Sequence, residues 1–175
     1  MNIFTFGYGG RASWELTPLV FELRPCCVID VRLRPWTKQP GWSLPELKAQ
    51  FAGEYHWCRS LGNVNFVRGG PVKLFDERKG MKKLVELMRS GVSPILLCAE
   101  RDPTGCHRIA IAEKLAKLTG APVIHLPLLT DSPVKRVDEQ LALTLDTQSH
   151  GHTSGHISAA TDANKSKRTQ RSKRK

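Results

Sequence analysis

The chain predicts an α/β fold: a single three-layer domain with a mostly parallel sheet, followed by a disordered basic C-terminal tail. Three observations lead there. Apolar runs and amphipathic stretches alternate along residues 1–146, the pattern of strands joined by helices. Two of the runs, residues 26–31 (CCVIDV) and 94–98 (PILLC), are apolar almost throughout, as strands buried on both faces are. From Thr147 onward Ser, Thr, Gly, His and Lys take over, a composition that cannot bury a core.

Taken in order, residues 2–6 read as a first strand closed by Gly7-Tyr8-Gly9-Gly10. Ser13 is a cap for a helix over 13–23, with Trp14, Leu16, Val20 and Leu23 available for burial. Residues 26–31 form the second strand. A Pro-, Gly- and Trp-rich loop follows, reading as a lid that buries its own tryptophans. Residues 44–51 predict a short helix, 63–67 a strand, 77–90 a helix, and 94–98 a strand. The next helix begins near Pro103, with Ile109, Ala112, Leu115 and Ala116 on its apolar face. Residues 121–126 read as a further strand with His125 in the core, and 132–145 as a last amphipathic helix.

The net charge is +11, and it is unevenly spread. Seven Lys and Arg and no acid lie from Asn164 to the end, so the rest carries +4. Such a run is a solvated tail that can attract nucleic acid by releasing counterions. Five cysteines, an odd number in no framework spacing, fit a reducing cytoplasm. No secretory leader and no run long enough to span a membrane is visible, so a membrane role is not expected.

In an open parallel sheet, ligands bind beyond the carboxyl ends of the strands. The unusual residues fall there. Cys98, Glu100, Cys106, His107 and Arg108 crowd one strand-to-helix turn. A thiol near a helix N-terminus and cationic neighbours is favoured as thiolate. One reading makes Cys98 or Cys106 a nucleophile, with His107 or Glu100 moving a proton. Another makes Cys98, Cys106 and His107 ligands of zinc or iron. Asp30 and Arg32, two apart on a strand, face the same way and can pair: either as a structural ion pair that ends the strand, or with Arg32 holding an anion and Asp30 orienting it or acting as base. Gly7, Tyr8 and Gly9 form a turn that formally fits a dinucleotide fingerprint, G-x-G-x-x-A. Without a substrate domain it reads better as a tight or phosphate-binding turn, with Tyr8 lining the crevice. Trp36 and Trp42 mixed with Arg32, Arg34 and Lys38 are a combination that stacks bases and holds phosphates.

The stretches TFGYGGRAS, CVIDVRLRPWTKQPGWS, LGN and LLCAERDPTGCHRIAIAEKL, in this order and spacing, are similar to the family catalogued as domain of unknown function 488. The resemblance runs from about Thr5 to Leu118. It implies a single α/β domain with a site at Asp30, Arg32, Cys98, Glu100, Cys106, His107 and Arg108, and supplies no reaction. The expected function is a small enzyme acting on a phosphorylated, nucleotide or nucleic-acid substrate. A metal-binding or thiol redox module and a nucleic-acid-associated protein without turnover are the alternatives.

Overall fold

The computed structural model describes residues 1–126. The expected helix over 132–145 and the basic tail over 147–175 lie outside these residues. Among the described residues, five strands form one sheet: β1 (Ile3–Gly7), β2 (Cys26–Asp30), β3 (Tyr55–Trp57), β4 (Ser93–Cys98) and β5 (Val123–His125). The sheet order is β3-β2-β4-β1-β5 and every pairing is parallel, so the architecture is α/β. Four α-helices connect the strands: α1 (Leu16–Glu22), α2 (Leu44–Phe51), α3 (Glu77–Arg89) and α4 (His107–Thr119). No described helix is long and apolar enough to cross a membrane.

The layers follow from the two-residue period of the strands. Phe4, Phe6, Cys26, Val28, Ile95 and Leu97 point to one face, where Leu16, Leu19 and Val20 of α1 and Leu47 and Phe51 of α2 cover them. Ile3, Cys27, Ile29, Leu96 and Cys98 point to the other, against Met81, Leu84 and Met88 of α3 and Ile111, Ala112 and Leu115 of α4. β4 therefore sends its connection to one face while its neighbours β2 and β1 send theirs to the other. That divergence opens a crevice at the carboxyl end of β4.

Several expectations are corrected. Residues 63–67 are a turn, with only the single antiparallel bridge Asn63–Leu74. The third strand is Tyr55–Trp57, too short and too exposed on an edge to show a period. Ser13 opens a single 3₁₀ turn (Ser13–Glu15), and α1 begins at Leu16 with Trp14 left in solvent. Ile111 rather than Ile109 fills the α4 face. His125 is exposed on the β5 edge and bonds the Thr5 hydroxyl through Nδ1 at 2.8 Å. Of the two tryptophans in the loop after β2 only Trp42 is buried; it stacks on Tyr8 at 4.7 Å and donates Nε1–H to the Arg11 carbonyl, while Trp36 stays 71% exposed.

Candidate functional site

Two side-chain clusters meet at the end of β4. The first is built by the β4–α4 turn. Gly105 reverses the chain at φ +75, and Cys106 caps α4 with extended backbone. Cys98, at the end of β4, and Cys106, at the start of α4, are thereby brought to one carboxylate. Glu100 Oε2 accepts from the Cys98 thiol at 2.7 Å and from the Cys106 thiol at 3.1 Å. His107 Nε2 lies 2.9 Å from the Val31 carbonyl, which makes it the N–H donor and leaves Nδ1 facing Cys98 Sγ at 3.6 Å. The candidate ligand atoms of Cys98, Glu100, Cys106 and His107 all lie within 4.8 Å of one another.

The electrostatics divide the two thiols. Cys106 is lowered to about 6, first by its bond with Cys98, then by His107, the Arg108 backbone N–H and the Arg108 charge, against the effect of burial. Cys98 is raised well above its ordinary value by the same bond, by burial and by the Glu100 charge. The pair loses its first proton as a unit, from the Cys106 side. Glu100 is lowered: burial pushes it up, but the bonds from Cys98 and Cys106 outweigh that. His107 is raised, because its bonds to Cys106 and Val31 outweigh burial.

The second cluster is centred on Asp30 and Arg32. Arg32 grips the fully buried Asp30 carboxylate through Nε (2.9 and 3.1 Å) and Nη2 (2.5 Å), and its own backbone N–H adds a bond at 3.0 Å. Tyr55 donates to the same carboxylate at 2.6 Å, and Arg32 Nη1 donates to the Tyr8 hydroxyl at 3.0 Å. Burial and the adjacent Asp30 charge raise the Tyr55 pKa; for Arg32 the Asp30 bond overcomes burial, so it stays charged. Asp30 is thus sealed beneath Arg32, and Arg32 keeps one N–H on each terminal nitrogen for a ligand.

The two clusters share one cavity of about 660 Å³, lined by Tyr8, Arg32, Cys98, Glu100 and His107 and walled by Leu33, Arg34, Trp36, Asn63, Val64, Phe66 and Val67. Arg108 is not among its walls. Its guanidinium donates to the Glu100 carbonyl at 2.5 Å and the Arg101 carbonyl at 3.1 Å, clamping the turn that carries Glu100. Gly7 and Gly9 also hold loops together. A Cβ on Gly7 would overlap the Glu100 carbonyl oxygen, and one on Gly9 would stand 2.9 Å from that of Ala99. The β4 loop therefore occupies the place where a dinucleotide fingerprint would seat a pyrophosphate.

Sequence reasoning did not identify Phe66, Val67, Leu33 and Val64 as walls. The one available signal was the apolar Phe66-Val67 pair set before Arg68-Gly69-Gly70 in an otherwise polar turn. Tyr55 lies under the cavity on Asp30. Arg59 turns away to cover the Phe75 ring at 4.8 Å.

Fold and site together define a parallel α/β protein with a thiol-, imidazole- and carboxylate-lined cleft at a topological switch point. The model of the family described as domain of unknown function DUF488 matches residues 72–115, the same family that the sequence resembles. The match spans Cys98, Glu100, Cys106, His107 and Arg108; Gly7–Gly9, Asp30 and Arg32 lie before it. No curated protein and no solved structure matches the chain.

Proposed function

We propose that Cys98, Cys106 and His107 hold a zinc-class metal ion, with Glu100 beside it, in a small enzyme acting on a phosphorylated or nucleotide-like substrate. The carrying observation is the mutual approach of four ligand atoms together with the His107 tautomer. A histidine that donates one ring N–H to a backbone carbonyl and turns its other nitrogen into a thiol cluster has the arrangement of a metal ligand with its supporting shell. Two thiolates and an imidazole suit zinc or ferrous iron. An ion held by these residues would supply an acidified water, with a pKa towards 7. Glu100, whose side chain lines the cavity, would hold and return a proton at its carboxylate. Arg32 and Tyr8 offer N–H and O–H donors to the substrate. Asp30 neutralises Arg32, and Arg34 is a further cation on the cavity wall. A reducing compartment such as the cytoplasm suits five free thiols.

A second reading is favoured by the lowered Cys106 pKa: a thiolate nucleophile or redox pair without metal. Metal analysis of the purified full chain separates the two. His150, His152 and His156 are changed to Asn so that they cannot contribute. About one zinc or iron per chain, lost in Cys98→Ser and Cys106→Ser, is the expected result. Metal-free protein after reducing, metal-replete purification overturns the metal reading and leaves the thiolate.

A further inference from the structure

We infer that the substrate of this cleft is single-stranded nucleic acid, with an unpaired base stacked at the cavity mouth. This rests on the reading of the cleft as a substrate site and narrows its substrate class. Trp36 and Phe66 come from separate loops, wall the same cavity, and remain 71% and 63% exposed. Exposed apolar patches rimmed by polar residues mark interaction sites and ligand-binding grooves. Aromatic rings are sequence-tolerant platforms for bases, since every base has a π-face. The polar groups lie on the cavity floor, so a base still paired inside a duplex cannot reach them; an unpaired one can.

The surroundings favour a strand over a free nucleotide. Val67, at the tip of the second loop, is 90% exposed and precedes Arg68. Arg34 stands on the first loop. Arg34 on the cavity wall and the exposed Arg68 next to Val67 are cations available to phosphates flanking a captured base. The sequence after residue 126 adds the acid-free run Lys165, Lys167, Arg168, Arg171, Lys173, Arg174 and Lys175. A free nucleotide has phosphate for Arg34 alone; a strand carries further phosphates for cations beyond the cavity.

The test is fluorescence anisotropy with a labelled single strand of about 12 nucleotides. The same sequence as a duplex, a nucleoside monophosphate competitor and anionic lipid vesicles run beside it. The full chain is expected to bind the single strand at least about tenfold tighter than the duplex. Trp36→Ala and Phe66→Ala are each expected to weaken it about 5- to 100-fold, and Trp36→Phe and Phe66→Tyr to restore most of the loss. Changing the seven tail cations to Gln should flatten the salt dependence while keeping the preference for single strands. Equal affinity for duplex and single strand overturns the inference. So does binding that vanishes with the tail cations and ignores Trp36 and Phe66, full competition by the monophosphate at equal nucleotide concentration, or capture by vesicles alone. Metal content measured on the same samples keeps the readings apart. Metal retained without strand binding sinks only this inference; strand binding without metal sinks only the metal centre.

Discussion

At the residue scale, Arg108 shows how position overrides residue type. A guanidinium near a helix start is suited to holding an anion. Arg108, only 2% exposed, instead donates to the Glu100 and Arg101 carbonyls. Replacing it by Met leaves both carbonyls without those donors. Arg108→Met is therefore expected to lower unfolding free energy by about 3 kcal/mol in urea titrations. Arg101→Met, on an exposed side chain whose backbone carbonyl remains, is expected to stay within about 0.5 kcal/mol. Equal effects would show that Arg108 does not clamp the turn. The thiol cluster itself was legible, because its members lie within ten positions on a strand end and a helix start. That Asp30 and Arg32 could pair was legible from their two-residue spacing; the Tyr55 and Tyr8 hydroxyls that complete the pair were not, since they come from elsewhere in the chain.

At the scale of elements, the loop between Asn63 and Phe75 is closed on itself rather than left slack. Val64 N–H donates to Lys73, and Phe75 N–H to Gly62, at 2.8 and 2.9 Å. Asn63 Oδ1 accepts from the backbone of Asn65 and of Lys73 at 3.0 and 3.2 Å. Asn65 Nδ2 ties the far side to Pro71 at 2.8 Å. One asparagine side chain therefore holds both ends of the segment that presents Phe66. Asn63→Ala should speed amide exchange at Lys73 about 5- to 30-fold, the equivalent of about 1–2 kcal/mol of local opening, with β4 amides unchanged. Protection unchanged at Lys73 would mean the backbone bridge alone holds the loop. The alternation of Asn63 to Val67 resembles a strand, and only the side-chain bonds of two asparagines reveal why it turns. β3 escaped notice for the opposite reason. Its His56 and Trp57 are exposed on the sheet edge, so a three-residue strand left no apolar run to read. The long central strands and the helices that cover them were plain, because burial on both faces fixes composition as well as period.

For the whole molecule, the cluster joins the last residue of β4 to the first turn of α4, and through Val31 to the segment after β2. An ion held there binds the folded state and stabilises it by mass action. With metal at about 100 times its dissociation constant, the gain is about 2.7 kcal/mol. A chelator should then lower the melting temperature by roughly 10 °C, and Cys106→Ser should remove that difference. Identical melting curves with and without chelator would argue against a metal bridge. The parallel sheet and its two helical layers could be anticipated from the chain. The switch in connection direction at β4, which opens the cleft, needed the strand order, and a single sequence does not print that order.

The short spacing within the thiol cluster also bears on assembly during synthesis. Cys98 and His107 are nine residues apart, whereas Tyr55 meets Asp30 across 25 and Arg32 meets Tyr8 across 24. Closing a short loop costs less chain entropy and takes less time than bringing distant segments together. The thiol and imidazole corner can therefore gather as soon as the β4–α4 turn leaves the ribosome. Asp30, Arg32 and Tyr55 lie on β2 and its direct partner β3, but the bond from Arg32 to Tyr8 must wait until β4 has slotted between β2 and β1. The last strand to enter the middle of the sheet carries the reactive corner with it, so the cleft takes shape only when the sheet does.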